Sequence, residues 1–394
     1  MSFPATLEIP EAILDIARTL ESAGFEAWCV GGTLRDILLG LPQSDYDIAT
    51  TATPDQVQAL FPRTIGVGIK YGTVGVLDRQ RELHEVTTFR RDVTTDGRHA
   101  VVAYGVSLDD DLARRDFTIN AIAYHPIRRE WRDPFGGALD LEQRLVRAVG
   151  DPSERFREDY LRILRAIRFA ARFNFSIHPE TWEAARTAAP GLARLSAERV
   201  RDEWFKSLRT AQSLERLVSL WTDVGAAALW LPELRSFQGL ALPTGSAPSE
   251  RDPILLTALL CSRPAAALRR LRASNAEIER ATGIERGPAS PAGSDERSVR
   301  RWLASTGAAA DDLMRLWQLQ HGGEPPWSPL TQEIRRRGDA LTRSELAVSG
   351  TEIEALGVSG PAIGQILAHL LERVLDDPTL NSRDALLALA RTMT

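Results

Sequence analysis

Residues 30–52 read VGGTLRDILLGLPQSDYDIATTA, and this stretch sets the fold. Gly31 and Gly32 end an apolar run, "EAWCV", that reads as a strand. The "TLRDILLG" behind them reads as a short helix opened by Thr33. A strand, a glycine turn and a helix put small residues where backbone N–H groups approach a phosphate closely. Arg35 falls one turn into that helix, where its guanidinium suits phosphate oxygens. Asp45 and Asp47 follow on either side of Tyr46 and lead into "IATT", a second strand. Alternate side chains of a strand share a face, so both carboxylates are expected on one side. Adjacent negative charges repel unless a cation lies between them. Mg²⁺ prefers carboxylate, water and phosphate oxygens, which makes it the expected cofactor, with Mn²⁺ as the alternative. Together these features point to nucleoside triphosphate chemistry assisted by two metals.

Outward from this stretch, "PEAILDIARTLESAG" has apolar residues at helical spacing and a glycine stop. "TPDQVQALF" reads as a helix with Thr53 as N-cap and Pro54 at its first position. "YGTVGVL" and "LHEVTTFR" read as paired strands around the polar turn "DRQRE", and Glu85 in the latter is the candidate third carboxylate. The strand-rich part ends near "WRDPFGG". From about Asp151 strands cease: "SERFREDYLRILRAIRFAARFNF" is one long helical pattern, and helical segments continue beyond it. "GLALPTGSAPSERDP" and "GIERGPASPAGSDERS" read as loops between helices. The fold class is α+β: a small mixed-sheet head followed by an all-helical remainder.

The composition is that of an ordinary globular chain, with 43% hydrophobic and 26% charged residues over 394 positions. A net charge of −5 excludes a globally basic nucleic-acid binder but not a local basic stripe. The longest apolar run, "ILLTALLC", is far too short for a membrane span, and the N-terminus lacks the basic region of a signal peptide. Two cysteines, Cys29 and Cys261, are too few for structural zinc or a disulfide framework. A cytoplasmic protein without a membrane partner is expected.

Two further segments carry chemistry. In "RRDFTINAIAY", Arg115, Asp116 and Asn120 bring a cation, an acceptor and an amide together, suited to a triphosphate and a ribose; a capped helix start is the competing reading. In "EDYLRILRAIRFAARF", Arg162, Arg165, Arg168 and Arg172 share one helix face, and Ile163, Leu164, Ile167, Ala170 and Ala171 line the opposite one. Asp159 lies one turn before Arg162, so their side chains are expected to meet. An intrahelical salt bridge on a solvated basic face is one reading. The sharper one is base recognition. Cytosine and adenine each present an amino donor beside a ring-nitrogen acceptor, whereas uracil and guanine present the reverse order. A carboxylate beside a guanidinium accepts C and A and rejects U and G.

With these motifs in view, the chain resembles the class II tRNA nucleotidyltransferases, the CCA-adding enzymes that share a catalytic head with bacterial poly(A) polymerases. The resemblance rests on "VGGTLRD", "DYDIAT", "GVGIKYGTV", "EVTTFR", "RRDFTINA", "DPFGG", "RFREDYLRILRAIRF", "SELAVSGTEI" and "GPAIGQIL". Nothing between about residues 230 and 340 aligns. It implies a nucleotidyltransferase head with a five-stranded sheet at residues 1–150, a helical neck for nucleobase recognition at 151–225, and a body and tail for tRNA binding at 226–394. It implies that Asp45 and Asp47 hold the metal with Glu85 as catalytic partner, and that Gly32, Arg35 and Arg115 bind nucleotide, with Gly31, Asp116 and Asn120 beside them. It also implies that Asp159, Arg162, Arg165 and Arg168 contact the incoming base in place of a template. The substrates implied are tRNA, CTP and ATP. The loop "TTFRRDVTTDGRHAVVAYGVSL" is about two residues shorter than in typical members; Asp96 and Arg98 within it are the expected specificity-loop residues for the switch from C to A. CC-only or A-only addition, poly(A) polymerisation and an inactive RNA-binding relative are the alternatives the sequence leaves open.

Overall fold

The "EAWCV" strand is β1 (Ala27–Val30), preceded by α1 (Glu11–Ser22) and followed by α2 (Gly32–Leu38). The structure, a computed structural model, describes residues 3–42, 45–95, 100–235 and 251–393. After α2 come β2 (Asp47–Thr50), α3 (Pro54–Leu60), β3 (Thr64–Gly68), β4 (Thr73–Leu77) and β5 (Leu83–Thr88). A hairpin of β6 (Arg90–Thr95) and β7 (Ala100–Tyr104), then α4 (Leu108–Ala113), lead to β8 (Ala123–His125) and β9 (Glu130–Arg132).

The sheet has seven strands in the order β3-β4-β5-β2-β1-β8-β9, and β6 pairs only with β7. Only β2 and β5 run parallel, so the sheet is mixed. The expected five strands are thus joined by the short β8–β9 hairpin. Its reason is that all four residues of β1 are buried, so the outer backbone groups of β1 need a partner; β8 supplies one at Cys29 and Val30. On one face of the sheet, Ile13, Ile16 and Leu20 of α1 pack against Cys29, Ile48, Val74 and Val86. On the other, Trp28, Val30, Ala49 and Phe89 form a second cluster.

Two helix starts differ in an instructive way. Thr53 caps α3 as expected, its hydroxyl accepting from the Gln56 N–H while the Gln56 side chain accepts from Thr53. Thr33 does not cap α2: the helix begins at Gly32, with Gly31 ahead of it at φ 84° and ψ −137°. The Thr33 hydroxyl instead donates to the backbone carbonyl of Asp45, tying the glycine turn to the acidic stretch.

Beyond the sheet come α5 (Gly137–Glu142), α6 (Pro152–Glu158), α7 (Leu161–Phe173), α8 (Pro179–Ala188), α9 (Ala197–Thr210), α10 (Leu214–Asp223) and α11 (Ala226–Trp230). A two-residue parallel pair, β10 (Leu145–Val146) and β11 (Ser176–Ile177), is an exception to the expected end of strands. The long helical pattern proves to be two helices, α6 and α7. Asp159 between them is extended, with φ −154° and ψ 106°. Its carboxylate accepts the N–H of Leu161 at 3.0 Å and a bond from Arg199 Nη2 at 2.6 Å, which draws it out of the helical path. Phe117, Ile119, Ile122 and Val146 share one core with Ala166, Phe169 and Phe173 of α7.

The chain divides into two compact units, Met1–Pro232 and Glu233–Thr394. The regular elements among the second unit's described residues are helices, apart from an isolated bridge between Leu234 and Cys261. "GIER", expected in a loop, is the last turn of helix Asn275–Arg286, with Ile284 buried. Residues 239–250 of the other expected loop lie outside the described residues. At the C-terminal end, Val348, Ile353, Ile366, Leu370 and Leu386 form a core of their own. Cys29 and Cys261 are both free and buried. No helix among the described residues is long and apolar enough to cross a membrane.

Candidate active site

The glycine turn and Asp47 meet at the C-terminal end of β1, where Val30 pairs with Asp47. A Cβ on Gly31 would lie 2.9 Å from Arg115 Nη1 and 3.7 Å from Asp47 Oδ2, so the absence of a side chain there lets Arg115 lie alongside Asp47. The Gly31 N–H donates to the Ile122 carbonyl at 3.4 Å and is turned into the fold. Because Ile48 stands beside Val86 in the parallel β2–β5 pair, Asp47 and Glu85 occupy neighbouring positions one residue earlier, on the face away from the α1 core. Burial pushes the Asp47 carboxyl above its ordinary range; Arg115 opposes this, while Glu85 and Asp45 add to it. A carboxylate burdened by two others is a donor set that fits a hard divalent cation.

Asp45 differs from expectation. It lies ahead of β2 instead of within it, so strand alternation does not fix its direction. It lines a second cavity of 1250 Å³ together with Tyr46, residues of α1 and the β4–β5 turn, whereas Asp47 lines the cavity described next. Among the described residues, the acid and histidine groups whose ligand atoms all lie within 4.8 Å of one another are Asp78, Glu82 and His84, not Asp45, Asp47 and Glu85. Those three serve the β4–β5 turn: Asp78 Oδ1 accepts the N–H groups of Gln80 and Glu82 at 2.8 Å each, and Oδ2 lies 3.2 Å from His84 Nε2.

The other cavity measures 670 Å³ and is lined by nine arginines and three aspartates, a strong local excess of positive charge. The fold holds those cations in place with carboxylates and rings. Arg35 is buried, bonds to Asp36 and to the side-chain amide oxygen of Asn120, and lies over the rings of Phe169 at 5.1 Å and Phe173 at 4.8 Å. The Asn120 amide donates to Asp116 at 2.8 Å, and Arg165 Nε donates to Asp116 at 2.7 Å, giving a continuous chain from Arg35 to Arg165. Burial alone would raise the Asp116 carboxyl, but Arg165, Asn120 and Arg162 together hold it below the usual carboxylate range. Arg168 Nε donates to buried Glu203 at 2.6 Å, and Arg172 Nη2 donates to Asp36 at 2.9 Å.

Gly31, Gly32, Arg35, Asp47, Arg115, Asp116, Asn120, Asp159, Arg162, Arg165 and Arg168 all line this cavity; Asp45 and Glu85 do not. Asp96 and Arg98 lie outside the described residues. The expected Asp159–Arg162 bond is absent because each has another partner. Asp159 accepts from Arg199, and Arg162 donates to Glu158 and to the carbonyls of Arg155 and Arg114, both at 3.1 Å. Arg114, Phe169 and Arg199 line the cavity without having been singled out from the sequence. A signal existed: Arg199 and Glu203 are one helical turn apart, as are Phe169 and Phe173.

Residues 27–147 match the poly(A) polymerase head domain, and residues 174–237 match the domain described as the probable RNA and SrmB-binding site of polymerase A. The CCA-adding enzyme of Geobacillus thermodenitrificans is 37% identical over 390 residues, covering 95% of each chain. That of Lactiplantibacillus plantarum is 36% identical over 395 residues, covering 97% of this chain and 96% of its own. The crystal structure of the Bacillus stearothermophilus CCA-adding enzyme in complex with CTP superposes with a TM-score of 0.78 at 33% identity, covering 97% of this chain and 98% of that one. With such similarity along nearly its whole length, the chain belongs to the CCA-adding enzymes, a nucleotidyltransferase family built on the poly(A) polymerase head.

Proposed function

We propose that this protein adds CCA to the 3′ end of tRNA without a nucleic-acid template, taking CTP and ATP in turn by two-metal nucleotidyl transfer. The observation that carries the reading is the arginine-lined cavity opening onto Asp47 beside the Gly31–Gly32 turn. Arg35 and Arg115 take the triphosphate in this reading, with Asn120 and Asp116 beside the ribose. Asp45 and Asp47 would hold Mg²⁺, or Mn²⁺, with Glu85 as their partner; when bound, the ion neutralises phosphate charge and favours ionisation of the attacking hydroxyl. The 3′-hydroxyl attacks the α-phosphate in line and pyrophosphate departs, with no covalent enzyme intermediate.

Base choice falls to Asp159 and Arg162. Arg162 uses three of its N–H groups on Glu158 and two carbonyls, which fixes the fork and leaves its Nε–H and one Nη2–H for a ring nitrogen. Each Asp159 oxygen keeps a lone pair beyond those facing Leu161 and Arg199, enough to accept an exocyclic amino group. Arg165 and Arg168 line the same pocket, held by Asp116 and Glu203. A tRNA substrate places the work in the cytoplasm.

The test is to offer tRNA transcripts ending at the discriminator base, at C and at CC, with each nucleotide separately and with Mg²⁺. Two C additions followed by a single A are expected. An enzyme that stops at CC with ATP in excess would move the assignment to CC addition. Extension only of CC ends would make it an A-adding enzyme, and a homopolymeric A tail a poly(A) polymerase.

A further inference from the structure

The sheet face that carries Asp47 and Glu85 continues beyond them. Gly75 pairs with Glu85, and Leu77 with Leu83, across β4 and β5, so all four side-chain positions share a face. A Cβ on Gly75 would lie 2.6 Å from Leu83 Cδ1 and 2.8 Å from Val67 Cγ2, so these two side chains close over the glycine. Ile65 pairs with Gly75 from β3, the edge strand. The result is an apolar floor whose members remain 47% (Ile65), 45% (Val67) and 42% (Leu83) exposed. Exposed Lys70 and Tyr71 follow in the next turn, and Lys70 has no ion pair among the described residues. The segment is "TIGVGIKYG", a family motif to which the catalytic reading gives no task.

We propose that this floor is the binding site for the unpaired 3′-terminal nucleotides of the RNA acceptor, whose bases lie on Ile65, Val67 and Leu83 while Lys70 faces a backbone phosphate. The proposal rests on the reading that the protein extends an RNA 3′ end. Its direction follows from the order of strands. Gly31, Arg115 and the arginine cavity approach Asp47 from the β1 side, whereas Glu85, Gly75 and Val67 lie successively on the opposite side. In-line attack requires the hydroxyl to arrive opposite the leaving pyrophosphate, which is the side of the floor. Three inter-strand spacings separate β2 from β3, about 14 Å, roughly the length of four stacked nucleotides. An apolar surface also suits an acceptor whose last base changes with each addition, because stacking tolerates any base whereas a hydrogen-bonded pocket does not.

The experiment compares wild type with the double variant Val67→Asn/Leu83→Asn, and with Ile69→Asn as a control. Ile69 is equally exposed, but its side chain lies against Gly66 and so on the opposite face. All three sites are exposed, so folding should survive, and circular dichroism checks it. KM for a tRNA ending in C is expected to rise about tenfold in the double variant, with KM for CTP unchanged and Ile69→Asn like wild type. Abasic nucleotides at the acceptor end should erase the difference between wild type and double variant. An unchanged RNA KM, or RNA and CTP values rising together, would overturn the proposal. So would a wild-type dimer that the double variant converts to a monomer, since the floor would then be covered by a second copy. A wild type that extends no RNA end would bring down the underlying reading, and this site with it.

Discussion

Replacing Gly31 by alanine tests how the glycine turn serves the site. At φ 84° and ψ −137°, an L-residue is strained by about 1–3 kcal/mol. The new Cβ would lie 2.9 Å from Arg115 Nη1, too close for both to stay in place. Arg115 is the group that yields, because its own bonds to the Asn120 carbonyl and to Asp111 are long, at 3.4 Å each. In the proposed reading Arg115 holds the triphosphate, and losing one such charge-assisted contact costs about 1.5–3 kcal/mol, or roughly tenfold to a hundredfold in kcat/KM. The loss should be equal for CTP and ATP, whose triphosphates are identical. Urea unfolding reads the strain, and single-nucleotide incorporation reads the activity. In an Arg115→Ala background, Gly31→Ala should cost only the strain, since the guanidinium it displaces is already gone. Wild-type stability and rate in Gly31→Ala, or a full additional activity loss in the double variant, would refute this account.

Asp47→Ala is expected to abolish incorporation of both nucleotides while leaving tRNA binding, read by filter retention, near wild type. Asp159→Ala and Arg162→Ala should each raise misincorporation of UTP and GTP relative to CTP, by about 1–3 kcal/mol of lost discrimination; slower turnover with unchanged selectivity would assign both to structure alone. Glu203→Gln leaves Arg168 buried without its counter-charge, and a loss of about 3–5 kcal/mol in urea unfolding is expected, partly recovered by a compensating Arg168→Leu.

Much of the head was legible because its signals are local. The β1 strand and the Thr53 cap each depend on a few consecutive residues, and the structure places them as read; the glycines do end β1, but α2 starts at Gly32 without a Thr33 cap and the Gly31 N–H points into the fold. Asp159 was misread because the apolar period runs unbroken from Phe156 to Ile163 and beyond, as if one helix continued. What breaks it is Arg199, forty positions away, which no helical period announces. The direction of Asp45 was missed for a similar reason: strand alternation applies only inside a strand, and β2 begins at Asp47. Glu203 and Asp36 were not singled out as buried counter-charges, since Arg168 and Arg172, which they hold, lie on a different helix, α7. The β8–β9 hairpin has only three residues per strand, too short a run to show a period.

The bonds that line the arginine cavity also run between sheet and helices. Arg165 reaches Asp116, Arg172 reaches Asp36, and Arg155 and Arg162 reach the carbonyls of Ala113 and Arg114. A chain cut after residue 150 would leave Asp116 without Arg165 and Asp36 with Arg35 but without Arg172, and would lay bare the faces of Phe117, Ile119 and Ile122 that α7 covers. The pocket is therefore a seam, and whatever binds in it sits among the groups that hold the two parts together. Such a head is poorly suited to transplantation: grafted onto a different helical partner, it would lack the cations that Asp116 and Asp36 meet on α7. Swapping in α7 without its sheet would fail for the mirror reason. Variation that reshapes the pocket has to pass through folding first, so small changes at its rim are open to such a chain in a way that exchange of whole parts is not.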